Sequence, residues 1–100
     1  MILTTTNSVE DYKIIAYRGI VSGTSIDMQK MTLTFSMSKY YEGLTQSVND
    51  LKAKAFEELK AEAEKLNANA IVGIAVDIEM SPTSYITVSV TGTAVNIVKS

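Results

Sequence analysis

The sequence predicts an α+β fold: a small antiparallel β-sheet packed by one long helix, in the order strand, possible second strand, helix, strand, strand. Three observations carry this. Apolar and polar residues alternate over residues 12–26 and again over 85–98, the two-residue repeat of strands. Between them, residues 47–66 repeat apolar positions at helical spacing. A third alternating segment, 71–80, is joined to the last by Ser81-Pro82-Thr83-Ser84, a composition suited to a turn. With 100 residues in all, the chain is read as a single domain, 1–100.

Residues 1–11 form an arm in which Thr4, Thr5, Thr6 and Asn7 carry little apolar pattern. In the first strand, Tyr12, Ile14, Ala16, Arg18 and Ile20 are expected on one face, and Lys13, Ile15, Tyr17, Gly19 and Val21 on the other. Gly19 and Gly23 remove side chains where another backbone can approach. Residues 31–38 alternate Met31, Leu33, Phe35 and Met37 with threonine and serine, and predict a second strand after a bend near 27–30. Tyr40–Gly43 reads as a turn.

The helix is expected over 47–66, with Val48, Leu51, Ala55, Leu59 and Leu66 on its buried stripe and Phe56 and Ala63 beside it. Ser47 with Asp50 resembles a capping box, and Asn67 or Asn69 can supply a left-handed stop. In the third strand, Val72, Ile74, Val76, Ile78 and Met80 are expected to share one face. Ile71, Gly73, Ala75, Asp77 and Glu79 are expected on the other.

Composition narrows the function. The net charge is −2 and Arg18 is the one arginine, so the clustered basic groups that neutralise nucleic-acid phosphates are missing. Unbroken apolar runs are short against the ~20 residues of a membrane span, and the first ten residues lack the apolar centre of a signal peptide. No nucleic acid and no membrane are expected as partners, and a cytoplasmic location is the expectation. The chain has no cysteine and no histidine. That removes disulfides, thiolate ligands, the imidazole base and the commonest nitrogen ligand. No base–nucleophile pair is visible, so the chain is not expected to be an enzyme, and nothing in it calls for a cofactor.

Several segments, in order, carry a family resemblance. Thr4-Thr5-Thr6 precedes Ile14-Ile15-Ala16-Tyr17-Arg18-Gly19-Ile20-Val21-Ser22-Gly23. The helix carries Ala55-Phe56-Glu57-Glu58-Leu59, and Ala68-Asn69-Ala70-Ile71-Val72-Gly73-Ile74 follows it. The chain closes on Val88-Ser89-Val90-Thr91-Gly92-Thr93-Ala94-Val95. Over nearly its whole length the chain resembles the YbjQ-like family, which bears a heavy-metal-binding label. The resemblance implies a dodecin/YbjQ-like subunit assembled as a homopentamer. The chain departs from the family pattern where Thr24 follows Gly23, and where Ser36-Met37-Ser38-Lys39 stands before Tyr40-Tyr41-Glu42.

Candidate binding residues fall into three groups. Asp77 and Glu79 lie two apart on one strand face, and carboxylates suit Mg, Ca or Mn rather than a soft metal; a ring would repeat them around its axis. Met28, Met31 and Met37 offer thioethers of the kind that bind Cu(I), but core or interface packing explains their arrangement without a metal. Tyr17, Arg18, Tyr40 and Tyr41 suit either a subunit contact, where Tyr and Arg are enriched, or a small ligand in an interface cleft. The expected function is a homo-oligomeric binding or scaffold protein without catalysis. The alternative is a binder of a metal ion or small ligand whose site is shared between subunits.

Overall fold

Leu51, Ala55, Leu59 and Ala63 recur at four-residue steps, which on a helix stacks them along one face. They form the buried stripe of a long helix, α1 (Met37–Lys65), with Val48 and Phe56 packed beside them. The structure is a computed structural model. It describes residues 1–28, 37–81 and 85–100, and the side chains of all of these except 28 and 37–46. α1 ends as expected. Asn67 sits in the left-handed region at φ 60°, and the Ala68 amide donates back to the Ala63 carbonyl at 3.1 Å.

α1 starts ten residues before the expected position. Tyr40–Gly43 is helical, not a turn, and Ser47 and Asp50 lie inside the helix rather than capping it. Once the strongly amphipathic part has nucleated, each further residue adds a hydrogen bond. That gain offsets the ~1 kcal/mol cost of Gly43 in a helix interior. Met37 and Ser38, expected at the end of a second strand, are the first helical residues. The rest of that expected strand, 31–36, lies outside the described residues.

The strands are β1 (Ile2–Leu3), β2 (Tyr12–Met28), β3 (Ala70–Met80) and β4 (Tyr85–Lys99), in the sheet order β1-β3-β4-β2. The three long strands are antiparallel neighbours, as expected. The N-terminal arm adds a parallel pair on β3, so the sheet is mixed rather than wholly antiparallel. This pairing left no apolar pattern in the arm because its bonds are to the main chain. The Thr4 amide donates to the Ile71 carbonyl (3.0 Å), the Ile74 amide to the Thr4 carbonyl (3.1 Å) and the Gly73 amide to the Thr6 carbonyl (2.8 Å). The hairpin between β3 and β4 is closed by the Ser81 amide on the Tyr85 carbonyl (2.8 Å), and residues 82–84 of the expected turn lie outside the described residues.

Bulges reset the side-chain alternation. On β2, Ile14 pairs with Ile97 and Ala16 with Asn96, leaving Ile15 extra; Tyr17 pairs with Val95 and Gly19 with Ala94, leaving Arg18 extra. Ile14, Tyr17 and Ile20 therefore share the face away from α1, while Ala16, Gly19 and Val21 face it. On β3, Val72 pairs with Thr93 and Ala75 with Thr91, so Gly73 and Ile74 together oppose Gly92. Gly73 stands at φ 61°, the left-handed start of such a bulge. Ile71 and Ile74 consequently point to the same side, towards α1, and Val72 points away.

Two apolar clusters result. The larger lies under α1 and joins its stripe to Val21, Ile71, Ile74, Ile86, Val88, Val90 and Ala94. The smaller lies on the opposite face, where Val9 of the arm and Ile14 cover Ala70, Val72, Val95 and Ile97. Gly23 fixes how closely α1 seats. A Cβ there would run into the Ala55 carbonyl oxygen and stand 2.9 Å from the Leu59 nitrogen.

Candidate functional site

A helix is about 10 Å wide and strands are about 4.8 Å apart, so one helix covers about two strands. α1 lies over β2 and β4 and meets β3 only marginally. The uncovered strand shows the consequence. Val76, Ile78 and Met80 pair across the ladder with Val90, Val88 and Ile86, all buried on the helix side. Yet they are themselves 43%, 40% and 51% exposed. Alternation puts these three on one apolar face but does not show that the face is open. The signal was present: three long alternating segments against one helix.

Asp77 and Glu79 occupy the other face of the same stretch, and both are exposed. The ladder places Ser89 beside Asp77 and Thr24 beyond it; Thr87 lies beside Glu79 with Ile26 beyond. With Thr91 and Ser22 in the next row, this helix-free face is rich in hydroxyls and carries two carboxylates at its edge. Hard cations take such oxygen ligands. Among the described residues, no three Asp, Glu, His or Cys side chains gather as a metal site within the subunit.

The tyrosine and arginine candidates separate. Tyr17 is 74% exposed on the face away from α1. Arg18, the bulged residue, turns to the helix side, where its Nε donates to Asn96 Oδ1. Asn96 Nδ2 in turn donates to the Asn67 carbonyl at 2.9 Å, so this chain of bonds ties β2 and β4 to the end of α1. Tyr40 and Tyr41 lie in the first turns of α1. Leu66, just past the helix end, rests over Gly19. At 1.5 Å per residue, that places Tyr40 about 39 Å from the Arg18 end of the sheet. One subunit does not bring the four together. Met28 ends β2 and Met37 begins α1, with side chains outside the described residues, as is all of Met31.

A family model described as "Putative heavy-metal-binding" matches residues 1–98. The chain belongs to the YbjQ-like family. Whole-length relatives agree. A UPF0145 protein of Bacillus cereus is 37% identical over 97% of this chain and 100% of its own length. Another, from Clostridium kluyveri, is 36% identical over 95% of this chain and 97% of its own. The fold is shared with a crystal structure of a DUF74-family protein of unknown function from Pediococcus pentosaceus. The TM-score is 0.73 at 22% identity, over 98% of both chains. The YbjQ-like family is thus one whose activity is uncharacterised. No described helix is long and apolar enough to cross a membrane.

Proposed function

We propose that this YbjQ-like chain is a cytoplasmic homo-oligomer that works as a binding or scaffold protein and catalyses no reaction. One observation carries the reading: the apolar row of Val76, Ile78 and Met80 is laid open on an elongated subunit. The radius of gyration is 16.8 Å, against about 13 Å for a compact domain of this length. A subunit that leaves part of its own core uncovered gains by covering it with another copy. Five subunits is the number the resemblance implies. Multi-angle light scattering tests it. The expected result is a multiple of the 10.9 kDa subunit mass, and a monomer at micromolar concentration overturns it.

The second reading is a hard-cation or small-ligand site shared between subunits, favoured by Asp77 and Glu79 on a hydroxyl-rich face. An assembly would supply from neighbouring copies the ligands one subunit lacks. Native mass spectrometry with Mg²⁺, Ca²⁺, Mn²⁺ and Cu(I), with thermal shifts on the same samples, tests it. Binding lost in Asp77→Asn/Glu79→Gln supports it. No bound ion together with no shift retires it.

A further inference from the structure

The N-terminal arm is held to the sheet by few contacts. Residues 1–10 pass around the outer edge of β3: Leu3 packs on the cluster under α1, whereas Val9 packs on the cluster of the opposite face. Main-chain bonds join Ile2, Thr4 and Thr6 to residues 69–74, and the Ile2 amide reaches the Asn69 carbonyl only at 3.4 Å. Leu3 and Val9 are half-buried, and every other arm residue but Thr4 is exposed. Segments with few buried apolar contacts open locally while the core stays folded.

The arm nevertheless has a shape of its own. The Thr6 hydroxyl donates to the Ser8 carbonyl at 2.6 Å, so the Thr4 hydroxyl is the donor in its 2.7 Å bond to Thr6 Oγ1. The Thr6 amide donates to Thr4 Oγ1 at 3.1 Å. These bonds join the arm to itself and do not depend on β3. A segment ordered in advance loses less entropy when it docks. At its end, Asp11 stands in the left-handed region at φ 66°, and the Ser100 amide on its carbonyl (2.9 Å) fixes it to the end of the sheet. The receiving edge matches the arm. A regular strand turns alternate amides to one edge, yet the consecutive amides of Gly73 and Ile74 both donate outward, to the Thr6 and Thr4 carbonyls. The bulge at Gly73 is what turns both the same way.

We propose that residues 1–10 form a clasp that swings on Asp11 and opens as a unit while α1 and the three long strands stay in place. Closed, it covers the edge of β3 at 70–74 and part of the smaller apolar cluster. Open, it releases the Gly73 and Ile74 amides and bares Ala70 and Val72, an apolar surface that the closed form lacks. All of its contacts lie within one subunit, so the clasp works without a second copy.

Native-state hydrogen exchange on the whole chain, read amide by amide by NMR and corrected for intrinsic rates, tests it. The Thr4, Gly73 and Ile74 amides are expected to share one rate, at least about tenfold faster than the Val88 and Val90 amides of β4. Rates graded from Met1 inward mean a fraying end, and equal rates at all five amides mean that arm and sheet open only together; either result overturns the clasp. A second measurement reads the bared surface. The chain has no cysteine, so Val72→Cys and Val88→Cys each carry a single thiol, at positions 5% and 0% exposed. With both variants folded by circular dichroism, the Val72→Cys thiol is expected to react with DTNB at least about tenfold faster. Equal reactivity overturns the proposal. Should either variant fail to fold, exchange in the wild type decides alone.

Discussion

Gly23→Ala is the sharpest probe of how the helix is seated. Gly23 has no positive φ, so alanine suits its backbone and on conformational grounds should stabilise by ~0.4–1 kcal/mol. The packing says the opposite. The added methyl would stand 2.9 Å from the Leu59 nitrogen and 3.0 Å from the Ala55 carbonyl carbon, with the Ala55 oxygen closer still. These are helix backbone atoms, which no rotamer change can move aside. Restoring an ordinary contact of about 3.5 Å to the Leu59 nitrogen alone requires α1 to lift by ~0.6 Å, and the nearer Ala55 oxygen requires more. That loosens the whole stripe of Leu51, Ala55, Leu59 and Ala63. Overpacking of this kind typically costs ~1–3 kcal/mol, and backbone collisions belong at or above the upper end. The net expectation is a loss of about 2 kcal/mol, or roughly 8–16 °C in Tm for a domain of this size. Urea denaturation followed by circular dichroism checks it, at one fixed protein concentration because an oligomer's stability depends on concentration. Lys60→Ala, exposed on α1, serves as control. A Gly23→Ala protein as stable as wild type would refute the close seating of α1.

Other substitutions test other joints. Gly92→Ala places a methyl 2.6 Å from Ile71 Cγ2 and 3.1 Å from Ile74 Cγ1, and a urea midpoint lowered by about 1–3 kcal/mol is expected. Gly73→Ala forces a side chain into the left-handed bulge position, φ 61°, and should cost ~1–2 kcal/mol in the same assay. Asn69 holds Ile97 at both main-chain groups, Nδ2 to the carbonyl at 2.9 Å and Oδ1 from the amide at 2.8 Å. Asn69→Ala should cost ~1–3 kcal/mol and speed hydrogen exchange at the Ile97 amide. Asn67→Gly keeps the left-handed helix stop and should change stability by only a few tenths of a kcal/mol, whereas Asn67→Val should cost at least ~1 kcal/mol.

Much of the fold was legible because its main elements rest on periodicity. The stripe of Leu51, Ala55 and Leu59 announces the helix, and Asn67 its end, without help from tertiary contacts. The first turns of α1 were not legible, since Tyr40–Gly43 has no apolar repeat and a glycine that suggests a turn. Side-chain faces depart from simple alternation on 12–20 and at 71–74 for one physical reason. Each bulge adds a residue to the count of two, so Ile15, Arg18 and Gly73 each reset the alternation that follows them. β1 was invisible because two residues paired through their backbones leave no pattern. For the candidate site, the exposure of Val76, Ile78 and Met80 depends on where α1 lies across the sheet, which their own sequence does not encode. The acidic pair was legible because alternation over 75–80 is uninterrupted.

The strand order also separates a local pairing from a distant one, and the local pairing is expected to form first as the chain folds. β3 and β4 are consecutive and can zip from their turn, a local and therefore fast step. β2 must then find β4 from across the intervening helix, pairing Met28 with Tyr85 at one end and Tyr12 with Lys99 at the other. The loop-closure entropy of that search falls before its contacts form, which slows it. Until β2 docks, β4 is itself an open edge with Ile86, Val88 and Val90 along one face. A chain that forms this hairpin first would expose an edge able to accept the wrong partner, so refolding yield is expected to fall as protein concentration rises.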